Sequence, residues 1–225
     1  MVMPYPRKTP LVNSEFYHIF NKGIDGRITF EDERDFERAY QIISYYRFSS
    51  PPIRLSIYLD QTEASRIEIQ KRPWGEKLIT IVCYCLMPNH FHFLLRQEID
   101  GGISRFISQF LNSYTRYFNT RNIRIGQLFL DRFQNVLVTS ESQMLHLSRY
   151  IHLNPFSSQV VRSYADLRNY KWSSFPEYIN DKEEGICKKD VILSSFESVA
   201  KYEEFVSNRK DYQREIKRIE NLILE

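Results

Sequence analysis

Two rhythms of apolar and polar residues alternate along this chain. Phe16-Tyr17-His18-Ile19-Phe20 reads as a strand, closed by the turn signal Asn21-Lys22-Gly23. Residues 31–48 change to helical spacing. Phe36, Ala39, Tyr40 and Ile43 recur at intervals of three and four behind an acidic first turn, and Pro51-Pro52 stops the helix. Residues 53–76 keep neither rhythm and predict a variable insertion or hairpin. Residues 77–87 are an unbroken run rich in Ile, Val, Tyr and Cys, as expected of a strand buried on both faces. Met87-Pro88-Asn89 turns the chain, and residues 90–97 return as an antiparallel strand.

Gly101-Gly102 breaks the chain before a helix over 103–119, with Phe106, Phe110, Leu111, Tyr114 and Tyr117 on related faces. A strand follows over 133–139. Ser140 then opens a helix as its N-cap, Glu141 sits in the first turn, and Pro155 closes it. The order is β-α-β-β-α-β-α. Its first six elements predict an α+β, ferredoxin-like antiparallel sheet with helices on one face. Residues 1–175 read as one domain carrying a variable insertion near 49–77. Residues 176–225 read as a helical C-terminal extension, with helices over 191–208 and 210–225.

Composition narrows the class. With 225 residues, 42% hydrophobic and 26% charged, the chain can build a core without a disulfide or structural metal. Its three cysteines show no ligand spacing. Cys83 and Cys85 alternate along the apolar run and should pack on one face as small hydrophobes. An odd count also speaks against a secreted disulfide framework. No apolar stretch nears the ~20 residues of a membrane span, and the proline-rich start lacks a signal-peptide core. The expectation is a cytoplasmic protein. The net charge of +3 says little about partners, but between Gly101 and Trp172 nine Lys and Arg face three acids. That local excess suits phosphates, and equally a solvated basic surface.

Candidate chemistry gathers at two places. His90 and His92 stand two apart on a strand, so both imidazoles leave the same face and can converge on a divalent cation; the spacing is equally that of two packed histidines. Tyr150 and Asn154 are four apart on a helix, one turn above each other, and can present a phenol and an amide oxygen to one point. The alternative is a core phenol and an ordinary helix-end asparagine.

The segment Cys83-Tyr84-Cys85-Leu86-Met87-Pro88-Asn89-His90-Phe91-His92-Phe93-Leu94-Leu95 resembles the signature of the single-tyrosine transposases of the HUH nuclease superfamily, in its REP-associated branch. Tyr17-His18-Ile19-Phe20-Asn21-Lys22-Gly23, Gly126-Gln127-Leu128-Phe129 with Arg132-Phe133, and Tyr150-Ile151-His152-Leu153-Asn154-Pro155 resemble that branch in the same order. A weaker likeness runs from Tyr170-Lys171-Trp172 to Tyr202-Glu203-Glu204-Phe205-Val206. The resemblance implies that His90, His92 and Asn154 hold Mg²⁺ or Mn²⁺. It also implies that Tyr150 attacks a DNA phosphate to give a 5′-phosphotyrosine bond and a free 3′-hydroxyl. The substrate it implies is single-stranded DNA that folds into hairpins, with the protein acting as a monomer or homodimer.

A phenol ionises near ~10 and needs help at neutral pH. His146, four residues before Tyr150, is a candidate helper, with packing as its other role. His152 points elsewhere on the helix, and His18 on the first strand reads as structural. Arg121, Arg124, Arg132 and Arg149 are the expected phosphate contacts, with residues 119–125 as a DNA-facing loop. The alternative function is a catalytically retired, transposase-derived DNA-binding protein.

Overall fold

The computed structural model describes residues 9–180 and 185–208. Strand β1 (Phe16–Lys22) leads through a short 3-10 turn into helix α1 (Glu33–Tyr45). Helix α1 starts at Asp32, whose carboxylate accepts the backbone N–H groups of Arg34 and Asp35. The stretch expected to be an insertion or hairpin holds two short helices, α2 (Leu55–Leu59) and α3 (Glu63–Gln70). Strands β2 (Ile79–Met87) and β3 (His90–Gln97) form the hairpin. Then come α4 (Gly102–Arg121), β4 (Gln134–Leu137) and α5 (Glu141–Ser157). Four short helices finish the described chain: α6 (Tyr164–Arg168), α7 (Phe175–Ile179), α8 (Asp190–Leu193) and α9 (Val199–Ser207). The helix expected over 210–225 lies outside the described residues.

Among the described residues the strands make one antiparallel sheet in the order β2-β3-β1-β4. This is the ferredoxin-like arrangement that the element order predicts. All nine residues of β2 are buried, because both faces of the sheet are covered. Tyr17, Ile19, Phe91, Phe93 and Leu95 join α1 and α4 in one core. Val82, Cys83, Cys85, Met87 and Leu94 join α5, α7 and α9 in a second core on the other face. Cys83 and Cys85 do share a face and pack as buried free thiols.

A bulge between Ile81 and Cys83 shifts the pairing of β2 with β3. Ile79 and Ile81 point into the first core, and beyond the extra residue so do Tyr84 and Leu86. Without that insertion the second half of β2 would turn its residues to the wrong faces. Helix α5 also departs from its expected end, since Pro155 lies inside it. Its last turn is kept by the Ser157 hydroxyl donating to the Leu153 carbonyl (3.1 Å) and the Ser158 N–H donating to the Asn154 carbonyl (3.0 Å). Asn154 is therefore held on a rigid helix and not at a fraying end.

The C-terminal helices are tied to α5 by a buried polar node. His152 bonds the Tyr202 hydroxyl at Nδ1 (2.7 Å) and Ser174 Oγ at Nε2 (2.8 Å). Ser174 Oγ in turn donates to the Tyr84 carbonyl (3.2 Å), so it accepts from His152 Nε2–H, and Nδ1 accepts from the phenol. The neutral ring satisfies every partner. Burial depresses the His152 pKa to about 3, whereas an unfolded histidine titrates near ~6.5. Below about pH 6.5 the unfolded chain takes a proton here that the folded chain refuses, so stability is whole above that pH and lost as pH falls toward about 3. The expected loss from His152 alone is about 1.4 kcal/mol per pH unit. Urea unfolding of the wild type and His152→Gln at several pH values in that window checks it: the variant should show the shallower pH dependence, and parallel curves would rule the node out as its source.

Candidate active site

The second core leaves one end of its sheet face polar. On β3, His90 and His92 project toward α5 while Phe91 between them enters the first core. His92 is flanked across the sheet by Phe20 on β1 and Cys85 on β2. Leu147 and Ile151 anchor α5 over this face, which brings Tyr150 down beside the histidines. The Tyr150 ring meets the His92 ring edge-on at 5.4 Å between centroids, and the His90 and His92 rings lie 5.0 Å apart. One turn further on, Asn154 Oδ1 is 3.3 Å from His90 Nε2. His92 and Asn154 are only 5% and 4% exposed, so the polar atoms meet in a largely dry place. The structure thus gathers His90, His92, Tyr150 and Asn154 from two elements 60 residues apart in sequence, to within roughly one turn of helix.

Hydrogen-bond partners assign the protons. His90 Nδ1 lies 2.6 Å from Asn89 Oδ1, an oxygen that only accepts, so the ring proton sits on Nδ1. His90 Nε2 then turns a lone pair toward Asn154 Oδ1, a second acceptor. Desolvation lowers the His90 pKa, with the Lys22 charge acting the same way against the opposing effect of Asn154. The ring is neutral, and two lone pairs face each other with no proton between them. A cation bound there would relieve that repulsion, and imidazole nitrogen with amide oxygen is a donor set suited to Mg²⁺ or Mn²⁺. The residues present fit such an ion.

His18 also belongs to this site. Its Nε2 lies 2.9 Å from His92 Nδ1, and its ring is 6.0 Å from that of Tyr150. Burial lowers the His18 pKa to about 3 and, with the nearby imidazoles, holds that of His92 well below its ordinary value. Two neutral rings share one proton. With that proton on His92 Nδ1, His92 Nε2 is free to ligate, the usual arrangement in which an outer partner orients a metal-binding histidine. Asn89 does the same for His90. His18 and Asn89 stand in the motif segments, but the register of β1 on β3 that makes His18 a partner is not visible in the sequence.

The other expected residues divide. His146 packs its ring against Phe205 of α9 at 5.5 Å, and His152 belongs to the buried node described above. Arg149, expected at DNA, is 1% exposed, lies over the Phe205 ring and donates to the Asn208 carbonyl; α9 covers it. Arg121, likewise expected at DNA, is clamped by Asp32 and the fully buried Asp35 at the start of α1. The pairing holds the end of α4 to α1 in place of a phosphate. Arg124 ties its own loop, donating to Asn119 Oδ1 (2.8 Å) and to the Gly126 (3.2 Å) and Gln127 carbonyls. Arg132 is exposed just before β4.

The structure thus sets side by side His90, His92, Tyr150 and Asn154, the residues that the resemblance to single-tyrosine transposases singled out. Residues 50–154 match the family described as "Transposase IS200 like", a segment that contains His90, His92, Tyr150 and Asn154 and ends on Asn154. The likeness to the IS200-like transposases thus spans the stretch that builds the site, somewhat under half of the chain. Among solved structures it is similar to "Structure of the REP associates tyrosine transposase bound to a REP hairpin", with a TM-score of 0.52 over 82% of this chain and 90% of that one. At 13% identity this likeness is one of fold. A comparison with curated proteins found no match.

Replacing His18 by Phe removes the partner of the His92 proton. The affinity for Mn²⁺, followed by electron paramagnetic resonance of the free ion, should fall about 10–100-fold. An unchanged affinity would show that His92 is oriented without His18.

Proposed function

We propose that this protein cuts and rejoins single-stranded DNA, with Tyr150 as the nucleophile and His90, His92 and Asn154 as the ligands of a divalent cation. The observation that carries the reading is the convergence of the Tyr150 ring on His92 and of Asn154 Oδ1 on His90 Nε2. Further support comes from the similarity to the IS200-like transposase family over residues 50–154, which contain the same four residues.

The chemistry is a transesterification. The Tyr150 phenol loses its proton to solvent as its oxygen forms a bond to phosphorus, the bond from phosphorus to the 3′-oxygen breaks, and that oxygen takes up one proton and leaves as a hydroxyl. The 5′ side remains as a phosphotyrosine. Reversal by the same or another 3′-hydroxyl restores a phosphodiester, so one ester replaces another and no nucleotide cofactor is consumed. The bound cation would supply positive charge to the phosphate as negative charge builds up, and would favour the ionised phenol. The protein supplies position: Tyr150 and Asn154 ride one helix, which the second core fixes against the strand bearing both histidines. Neutral imidazoles keep their lone pairs at working pH because burial opposes their protonation.

The neighbour in fold is described as bound to a REP hairpin. By analogy we take the substrate here to be a single strand that folds into a hairpin.

Incubating the wild type with end-labelled hairpin DNA and Mn²⁺ should produce a protein–DNA adduct that survives denaturing electrophoresis. Tyr150→Phe should lose the adduct below detection while still binding DNA. Asn154→Ala should form less adduct and need more Mn²⁺ to recover it. Strand cleavage that persists in Tyr150→Phe would sink the tyrosine mechanism in favour of a hydrolase. Binding without any adduct in the wild type would show a protein that has kept its grip on DNA and lost its chemistry.

A further inference from the structure

Where β1 ends beside the turn from β2 to β3, the candidate site gains a positive charge. Lys22 is the last residue of β1 and the cross-strand partner of His90. Tyr17 and Ile19 enter the first core, so His18, Phe20 and Lys22 alternate onto the face of the histidines. Directly paired residues hold their Cβ atoms about 5 Å apart on one face, which sets the lysine stem beside the His90 ring. Its charge acts there, joining burial in lowering the His90 pKa.

The backbone at Lys22 is fixed, and its ammonium group is not. The Lys22 N–H donates to Asn21 Oδ1 (2.8 Å), and its carbonyl accepts from the Leu130 N–H (3.0 Å). The next N–H, that of Gly23, donates to the carbonyl of Asn89 (2.8 Å), whose side chain orients His90. A Cβ at Gly23 would collide with the Arg27 carbonyl oxygen, so the chain turns this tightly only because a glycine follows the lysine. Lys22 itself is exposed, and among the described residues no carboxylate pairs with it. Arg121 and Arg149 are held elsewhere, and the imidazoles of the site are neutral.

Position along the strand decides which atom of a bound phosphodiester this charge meets. Tyr150 packs against His92 and His18, at 5.4 and 6.0 Å between ring centroids. Lys22 lies four residues beyond His18 on β1, about 13 Å along the strand, with His90 beside it. The row of histidines therefore has a phenol at one end and an ammonium at the other. In a displacement at phosphorus the attacking and leaving oxygens lie roughly in line, on opposite sides. A phosphate attacked from the Tyr150 end turns its leaving oxygen toward Lys22.

We propose that Lys22 is a further catalytic residue, whose ammonium group stabilises the departing 3′-oxygen. The inference rests on the strand cleavage proposed for Tyr150. As the bond from phosphorus to the 3′-oxygen breaks, its electron pair stays on that oxygen. An N–H of Lys22 donates a hydrogen bond to the oxygen until it takes up a proton from solvent. Three rotatable donors on a flexible stem can follow the oxygen as the bond lengthens. In the reverse step the same contact holds the oxygen of the incoming 3′-hydroxyl.

The test compares the full chain with Lys22→Met and Lys22→Arg in single-turnover formation of the tyrosine adduct, with Mn²⁺ and end-labelled hairpin DNA. One substrate is ordinary DNA, and the other carries sulfur in place of the bridging 3′-oxygen, because a thiolate of low pKa leaves without such help. On ordinary DNA Lys22→Met should react about 100-fold more slowly, as on loss of one donor to a developing oxyanion, and Lys22→Arg should recover most of the rate. On the sulfur substrate Lys22→Met should match the wild type. Binding of Mn²⁺, followed by electron paramagnetic resonance of the free ion, should tighten about 3–10-fold in Lys22→Met, because a neighbouring positive charge has gone. Equal slowing on both substrates would overturn the assignment to the leaving oxygen, as would an unchanged rate on ordinary DNA. Weaker Mn²⁺ binding would overturn it too, by showing that Lys22 holds the site together. A wild type that forms no adduct on either substrate would remove the strand-cleavage reading and this role with it, whereas an adduct with equal slowing removes the role of Lys22 alone.

Discussion

His92 sits on a strand covered on both sides, and every polar atom that accompanies it into this sheet has to be satisfied without bulk water. The fold answers with a chain of partners. His18 shares a proton with His92 and Asn89 Oδ1 accepts a hydrogen bond from His90 Nδ1–H, which leaves the Nε2 lone pair of His90 facing Asn154. A buried polar group left without a partner costs on the order of 1–3 kcal/mol, so the bonds of His18 to His92 and of His90 to Asn89 are conditions for folding before they are features of a site. The same bonds set the direction in which the imidazole lone pairs point. A site that is costly to bury is thereby held in one geometry.

The two faces of the sheet have divided the work. Large aromatic and aliphatic side chains from α1 and α4 fill the first core, giving the sheet a rigid backing. The second face is mixed: small side chains such as Cys83 and Cys85 let α5 approach closely, and histidines occupy the end where Tyr150 and Asn154 arrive. The bulge in β2 makes this division possible, since it re-phases the strand so that both cores receive the residues that fit them. Beyond α5, the node of His152, Ser174 and Tyr202 fastens the C-terminal helices to the back of the helix bearing the tyrosine. Residues after Trp172 therefore support the site from behind, although none of the candidate ligands comes from them.

Arginine shows where charge alone misleads. Arg121 and Arg149 belong to the basic stretch that suggested a phosphate surface, yet one neutralises a buried carboxylate and the other lies beneath α9. Both were invisible as structural residues because their partners, Asp35 and Phe205, lie 86 and 56 positions away in the chain. Arg38 and Arg54, by contrast, stand outside that stretch and meet Arg116 only when α1 and α2 come together beside α4. Which arginines stay clear of the fold's own carboxylates is a property of the packing.

The order of the elements, the hairpin at Met87–His90, the shared face of His90 and His92 and the one-turn spacing of Tyr150 and Asn154 were all legible in the amino-acid pattern. Each depends only on neighbours within a few residues: alternation on a strand, 3.6-residue periodicity on a helix, a proline turn. The bulge was not legible, because every residue of β2 is buried and an unbroken apolar run has no phase to read. Nor were the short helices of 53–76, which carry little periodicity, or the passage of α5 through Pro155, which its serines make tolerable. The sequence by itself thus determined which local elements form and which chemical groups they carry. Only the tertiary structure decided that His18 orients His92, that Asn154 meets His90, and that Arg121 and Arg149 are spent on the fold, because hydrogen bonds and ion pairs between distant residues depend on the register and packing of elements, which no local pattern encodes.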